Sequence, residues 1–363
     1  MKKSKLCILY TTAMAMPEEI DLTHLNFIDQ TTIAYGASGS GKSVFITDVM
    51  HMLKPYVPQV IIVSPTDPSN KTYSNGMVSP PLIHYELTED LLITIWKRQE
   101  AFAAVYTKVN TFEVLESLFM RLQHERANSI LERMNVVKAE KIMKLHDMFK
   151  GDEPKIAGKT KDIEDQLHDM KLLVFKKFIV TNTAQLAKLE LTNDERFALE
   201  HITFNPRMLI VLDDCSADFR KIKSIEGKSV LNKMFFQNRW SFMTVIIALH
   251  DDKLMDSELR KNVFVNAFTT SQAAITFYSR VSNAGTTAIA RQVAKWASEG
   301  LWKANGKNQK LVFLRSEGSF FRFTASQHMP FTFGAGCVSK YCEAVKSTGI
   351  NIDPNNPFMN YFR

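Results

Sequence analysis

The sequence predicts an α/β fold: a mainly parallel sheet flanked by helices, interrupted by a large helical insertion and followed by a β-hairpin. Three observations carry this. Short apolar runs alternate with helical periodicities over residues 1–87 and again over 201–330. Between them, over 88–200, glycine and proline nearly vanish and apolar residues recur three to four apart. Near the end, two strand-like runs flank Ser316-Glu317-Gly318-Ser319.

Taken in order, Thr31–Tyr35 is a short strand that runs into a glycine-rich loop. Val44–Leu53 has a period close to 3.6 and is punctuated by Pro55 and Pro58, so it reads as a helix. Val60–Val63, bounded by Ser64-Pro65 and Asp67-Pro68, reads as a buried strand. In the insertion, Leu115, Leu118, Leu122, Ile130, Met134 and Val137 mark one amphipathic face, continued by Ile142, Leu145 and Phe149. This predicts a helical hairpin or short coiled coil that turns at Gly151-Asp152-Glu153-Pro154, with a second helical stretch over Asp162–Leu191. Basic and acidic residues are mixed here, as on a solvated face rather than a DNA-binding arm. After Pro206, strands are expected at Met208–Asp213, Phe242–Leu249 and Val263–Thr269. Helices are expected at Val230–Asn238, Ser271–Val281 and Thr286–Lys303, and the hairpin at Lys310–Arg315 and Phe320–Thr324. Residues 331–363 form a tail without a clear element.

Composition bounds the function. Of 363 residues, 45% are hydrophobic and 23% charged, which excludes disorder over most of the chain. The 45 Lys+Arg against 38 Asp+Glu give a net charge of +7, favouring anionic partners such as nucleic acid or nucleotide. Cys7, Cys215, Cys337 and Cys342 are too few for a disulfide scaffold and match no zinc spacing, so a reducing compartment is expected. The clearest apolar runs, Met208–Leu212 and Phe242–Leu249, fall far short of the roughly 20 residues a membrane span needs. Lys2, Lys3 and Lys5 ahead of Leu6–Tyr10, with Ala13-Met14-Ala15 behind, imitate a secretory leader. The interruption at Tyr10-Thr11-Thr12 makes a cleaved leader the lesser reading.

The sharpest signal is Gly36-Ala37-Ser38-Gly39-Ser40-Gly41-Lys42-Ser43, which fits G-x-x-x-x-G-K-[ST]. Glycine lets the backbone curl until several N–H groups face phosphate oxygens, and the following helix adds its positive end. Gly36, Ser38, Gly39, Ser40 and Gly41 would form the cradle. Lys42 would reach the β- and γ-phosphates, and Ser43 would sit on Mg²⁺. The second signal is Met208–Leu212 ending in Asp213-Asp214. A buried strand presents a carboxylate at its carboxyl end, where Asp213 would hold Mg²⁺ and Asp214 would act as general base toward water. The third is His250, the polar tip of the Thr244–Leu249 strand run, a candidate sensor of the γ-phosphate. Arg239 is the first candidate for an arginine inserted from a neighbouring subunit, followed by Arg260 and then Arg280. A G protein is excluded, since Asn70-Lys71-Thr72-Tyr73 lacks the aspartate of a guanine reader.

With these residues in place, the chain resembles the genome-packaging ATPases of nucleocytoplasmic large DNA viruses, the poxvirus-type branch of the FtsK–HerA superfamily. The resemblance rests on Ile33–Ser43, Gln59–Thr66, Met208–Asp214 and Phe236–Asp252. Its more discriminating part is the strand ending in paired aspartates, followed by an R-[HW] step, here Arg239-Trp240, into an apolar strand with a polar tip. Leu259-Arg260-Lys261-Asn262 also fits. Two departures stand out: His250 where many members carry glutamine, and Asp213-Asp214 where many carry Asp-Glu. The resemblance implies an additional-strand, RecA/FtsK-like P-loop core, with the sensor strand between the phosphate-loop and Walker B strands. It also implies ATP and Mg²⁺ as ligands and a homo-oligomeric ring, a hexamer, that moves double-stranded DNA into a capsid. A capsid or portal-type protein would be a partner, and the host-cytoplasmic viral factory and the virion the locations. The family assigns no role to the 88–200 insertion.

Three readings follow. The first is an ATP-driven DNA motor, with Lys253, Lys303, Lys307 and Lys310 as candidate phosphate-tracking positions. The second is a P-loop enzyme acting on a small substrate, such as a nucleotide kinase. The third is a non-catalytic assembly factor held together by nucleotide.

Overall fold

A computed structural model describes residues 15–334 and 336, apart from 124, 216, 223, 284 and 304. The leader-like stretch before residue 15, most of the 331–363 tail, and Cys7, Cys337 and Cys342 lie outside the described residues. The chain divides into two compact units, with boundaries at 101/102 and 205/206.

The first unit is built on one eight-stranded sheet. Its strands are β1 (Thr31–Tyr35), β2 (Gln59–Val63), β3 (Ile83–His84), β4 (Met208–Asp213), β5 (Met243–Leu249), β6 (Val265–Phe268), β7 (Gln309–Leu314) and β8 (Ser319–Thr324). Their spatial order is β3-β2-β4-β5-β1-β6-β7-β8. The strands from β3 to β6 are parallel, and β7 and β8 close the row as an antiparallel hairpin turning at Gly318. Strand β5 therefore lies between β1, which leads into the glycine loop, and β4, which ends at Asp213. That is the additional-strand order the resemblance implies.

The apolar runs are continuous because both sheet faces are covered. Alternate residues serve opposite cores. Ile33, Ile61, Ile210, Val245 and Ile247 face one cluster with Val230 and Met234 of the helix Ile225–Phe236, Phe277 of Ser271–Tyr278, and Trp296 of Thr287–Ser298. Ala34, Ile62, Val211, Ile246 and Ala248 face the other, filled by Phe45, Ile46, Val49, Met50 and Leu53 of the helix Lys42–Leu53.

The helix Glu89–Val109 begins in the first unit, where Leu92, Ile95 and Trp96 join the first cluster. Buried Gln99 donates from Nε2 to the carbonyls of Pro206 (2.7 Å) and Ser241 (2.6 Å), tying the segments that lead into β4 and β5. The helical unit thus runs over 102–205, later at both ends than the expected 88–200. The reason is the i, i+3, i+4 stripe of Leu92, Ile95 and Trp96, which belongs to the sheet's core.

In the second unit, Val109, Leu115, Leu118, Phe119, Phe175, Ile179 and Ala198 form one cluster. The helices Glu125–Met148 and Glu153–Thr181 form the hairpin. Their turn is set by Gly151 at φ 90° and by Asp152, whose side chain accepts from Lys155 N and caps the second helix. Glu195 sits in the core of this unit's polar wiring. It accepts from Ser117 (2.6 Å), Arg121 Nε (2.7 Å) and, at the start of its own helix, Thr192 N (2.8 Å). Burial would raise its pKa, but these donors win and hold it at about 2.

The sign of the linkage is fixed by that depressed value. Glu195 contributes stability above its ordinary value of 4.5 and loses it as pH falls toward about 2. Glu195→Gln should therefore be less stable than wild type at pH 7, by at most about 3 kcal/mol. The gap should narrow steadily below pH 4.5 in thermal melts followed by circular dichroism. A gap that does not change with pH would rule out this assignment.

Candidate active site

The site is assembled at the carboxyl ends of β1, β5 and β4. The glycine loop leaves β1 at Gly36, whose N–H donates to Leu249 O of the neighbouring strand at 3.1 Å. A Cβ at Gly36 would collide with the hydroxyls of Thr269 and Ser40. Those hydroxyls lie 2.6 Å apart, and Thr269 Oγ1 donates to Tyr35 O at 3.1 Å. Ser40 Oγ also lies 2.7 Å from Ala37 O, so it stitches the loop internally. Gly41, at φ 92°, is the last residue before the helix, and a Cβ there would strike the Lys307 carbonyl. Both positions therefore exclude side chains by close approach, and the second also by its backbone angle.

Lys42 opens the helix and is 7% exposed. Its Nζ donates to Gly36 O (2.8 Å) and Ala37 O (2.9 Å) and lies 3.4 Å from His250 Nδ1. Burial pushes its pKa down, while Asp213 and Asp214 pull it back up. His250 follows the last residue of β5, and its Nε2 bonds Asp214 Oδ1 at 2.8 Å. An ammonium only donates, so the contact with Lys42 assigns Nδ1 as acceptor and places the ring proton on Nε2, facing Asp214. His250 thus bridges the lysine of the glycine loop and the second aspartate of β4.

Asp213, the last residue of β4, is 5% exposed. Burial raises its pKa, against the hydrogen bond from Tyr73 and the charge of Lys42. Tyr73 Oη donates to Asp213 Oδ2 at 2.9 Å. Asp214 takes φ 63°, turning the chain sharply so that its carboxylate faces His250, and buried Cys215 donates from Sγ to Val63 O at 3.2 Å. Tyr73 is fixed by the loop after β2. There Asp67, wholly buried, accepts from Tyr73 N at 2.7 Å, and Asn70 Oδ1 accepts from Thr72 N at 3.0 Å.

Lys42, Asp213, Asp214 and His250 line a cavity of about 340 Å³ with Ser38, Gly39, Gly41, Ser43, Thr66 and Lys307. The donors fit a magnesium nucleoside triphosphate. Two glycine positions admit no Cβ, a lysine faces the loop, and hydroxyl and carboxylate oxygens at Ser43 and Asp213 suit a hard cation.

The arginines separate. Arg260 is 8% exposed, and its Nη1 donates to Asp252 Oδ2 at 2.6 Å. Asp252, 4% exposed, also accepts from Asn283 Nδ2 at 2.6 Å and from Arg280 Nη1. A guanidinium held inside this cluster lacks the reach a trans finger needs. Arg239 is exposed, with its guanidinium 5.4 Å over the Phe264 ring. It lines a groove of about 750 Å³ with Trp240, Phe236 and Arg315, beside Thr31 at the start of β1. Lys253, Lys303 and Lys307 are exposed, but Lys310 is wholly buried and cannot track a polymer's phosphates. That expectation is corrected by the strand repeat, which turns Lys310 inward.

No family model matches the chain. Uncharacterized protein B354L of African swine fever virus, from a Kenyan pig isolate, is 31% identical over 374 residues, covering 98% of this chain and 99% of that protein. The B354L protein of a Malawian tick isolate is 32% identical over 364 residues, covering 95% and 96%. Similar solved structures include the genome packaging NTPase B204 from Sulfolobus turreted icosahedral virus 2, in complex with ATP-gammaS. It is 11% identical, covers 83% of this chain and 98% of that chain, and has a TM-score of 0.36. VirB4 of Thermoanaerobacter pseudethanolicus is 10% identical, covers 82% and 89%, and has a TM-score of 0.36.

Tyr73→Phe removes the hydroxyl and leaves Asp213 buried without that donor. It should lose about 1–3 kcal/mol of stability in urea denaturation at pH 7, with an unchanged slope. Stability equal to wild type would mean that the phenol does not support Asp213.

Proposed function

This chain belongs to the family of the African swine fever virus B354L proteins, and on that premise we propose that it is an ATP-hydrolysing motor that moves double-stranded viral DNA into a capsid. The observation that carries the hydrolytic reading is His250 held between Lys42 and Asp214, at the ends of three neighbouring strands.

In this reading Gly36, Ser38, Gly39, Ser40 and Gly41 wrap the phosphates, and Lys42 turns its ammonium to the β- and γ-phosphates. Ser43 and Asp213 would hold Mg²⁺, which would supply charge neutralisation at the phosphate oxygens. Asp214 accepts the proton of a water whose oxygen bonds to the γ-phosphorus, and the bridging oxygen leaves with ADP. The Nε2–H of His250 orients the Asp214 carboxylate. Its other nitrogen faces Lys42, so a shift of that ammonium toward phosphate is felt at the base.

Arg239 precedes the start of β5, while His250 follows its end. Seven residues of strand at roughly 3.3 Å each keep it from its own site. As a finger it serves a neighbouring copy, in a ring read as a hexamer. The net charge of +7 supports an anionic polymer as the cargo. A capsid or portal-type protein completes the machine, working in the host-cytoplasmic viral factory and the virion.

ATP hydrolysis measured with and without double-stranded DNA, with Lys42→Ala as the blank, tests this. Several-fold stimulation by DNA that fades at high salt is expected, with a log–log slope of about −0.9 per phosphate contacted. DNA-independent turnover would favour a small-substrate enzyme. No turnover in wild type would favour a nucleotide-bound assembly factor. A second prediction isolates the finger. Arg239→Ala and Asp214→Asn should each lose hydrolysis while still binding ATP, and mixing them should restore part of it. Two assembled variants with no rescue would place the finger elsewhere.

A further inference from the structure

The buried lysine of β7 is unused by the scheme above. By the two-residue repeat of a strand, Lys310 shares a face with Val312 and Leu314, and both of those lie in the cluster that buries the phosphate-loop helix. An apolar residue would suit that position, and a buried ammonium is costly unless something offsets it. Lys310 is nevertheless wholly buried. Its Nζ donates to the Lys307 carbonyl and lies 3.2 Å from where a Cβ of Gly41 would stand. That same carbonyl closes the space beside Gly41, and Lys307 lines the phosphate cavity.

The elements around Lys310 carry charged groups. Asp48, 2% exposed, lies on the phosphate-loop helix and already accepts from Ser326 N (2.9 Å) and His328 Nε2 (2.6 Å). Lys307 precedes it in the turn, and Lys42 opens the helix. On β8 its partner is Phe323, which carries no charge. Burial lowers the Lys310 pKa to about 8, with Asp48 opposing.

We propose that Lys310 is a second cation of the phosphate site, a positioning residue that holds the Lys307 carbonyl against Gly41 and places positive charge behind the loop, strengthening its hold on a nucleoside polyphosphate. This rests on the nucleotide-binding reading above. Asp48 offsets part of the cost of the buried ammonium, and the polyphosphate adds further negative charge. The sign follows: the protonated form binds better, so affinity is highest below about pH 8 and falls as Lys310 loses its proton above it.

Calorimetric titration of ATP and AMP into wild type, Lys310→Met and Lys310→Arg at pH 7 and pH 9 tests it. Lys310→Met should weaken ATP at pH 7 by roughly tenfold or more, AMP much less, and should lose most of the wild-type decline between the two pH values. Lys310→Arg stays charged and should retain at pH 9 the affinity that wild type loses. Should Lys310→Met fail to fold, the arginine variant decides alone, and an arginine variant that declines with pH as wild type does overturns the inference. So does a methionine variant that binds ATP like wild type, or one that weakens ATP and AMP equally. Folded wild type that binds no ATP at all would overturn the phosphate-loop reading and this inference together. Wild type that binds ATP, with both variants unaffected, overturns this inference only.

Discussion

Strand β5 lies between β1 and β4, and the geometry of the site follows from that placement. Parallel neighbours end at the same edge, in register from Tyr35↔Leu249 on one side to Asp213↔Ala248 on the other. One residue beyond β5, His250 has nowhere to point but between the glycine loop and the Asp213-Asp214 turn. The 2.8 Å contact with Asp214 and the 3.4 Å contact with Lys42 are the outcome. With the same strands in an order that paired β1 directly with β4, no residue would bridge the two. The long separation of these motifs in sequence is immaterial, because the helical unit leaves after β3 and the chain returns at β4.

Around that edge the fold accepts several buried charges and satisfies each by a different device. Asp213 takes a phenol, Asp252 takes two arginines and an asparagine, and Asp48 takes a backbone N–H and an imidazole. Removing one partner from such a group is far costlier than the pair is stabilising, since it strands a charge in low dielectric. These clusters therefore fix positions more than they add stability. Lys42 and Lys310 differ in kind. Their donors go to backbone carbonyls rather than to carboxylates, which leaves their charge available to an anion.

What was legible in the sequence was what short-range chemistry dictates. Gly36–Ser43 announces itself because each position answers a local demand, whether a backbone angle, a close approach or a donor. Met208–Asp214 is legible because a strand buried on both faces must be continuously apolar and can turn polar only at its end. Tyr73 was missed because nothing in Asn70-Lys71-Thr72-Tyr73 marks it. Its role exists only once Asp67 folds the loop back and β4 comes alongside β2. The burial of Arg260, a candidate trans arginine, is not legible in the sequence because its partner, Asp252, lies across a turn rather than one helical turn away. The burial of Lys310 is marked in the sequence. The residue alternates with Val312 and Leu314, and a hairpin strand that pairs into a sheet covered on both faces turns that alternation into burial.

The same parallel arrangement that gathers the candidate site at one edge leaves the opposite edge to a different set of residues. Arg239, Trp240 and Phe236 gather there beside the start of β1, with Arg315 in the same groove and no carboxylate among its described lining residues. Trp240 is 83% exposed, a large apolar surface for a chain to leave in water. One end of the sheet thus offers cations and aromatic rings, and the other carries the glycine loop and the paired aspartates. A finger rooted at the first end cannot fold back across the length of the strands to reach the second. If both ends act on one triphosphate, two copies must meet head to tail, and that contact is heterologous. Each copy then keeps one unmatched end, so the series terminates only by closing on itself. Under the proposed reading a ring would then follow from parallel strands with chemistry at opposite edges, and the rotation between copies would set how many it takes to close.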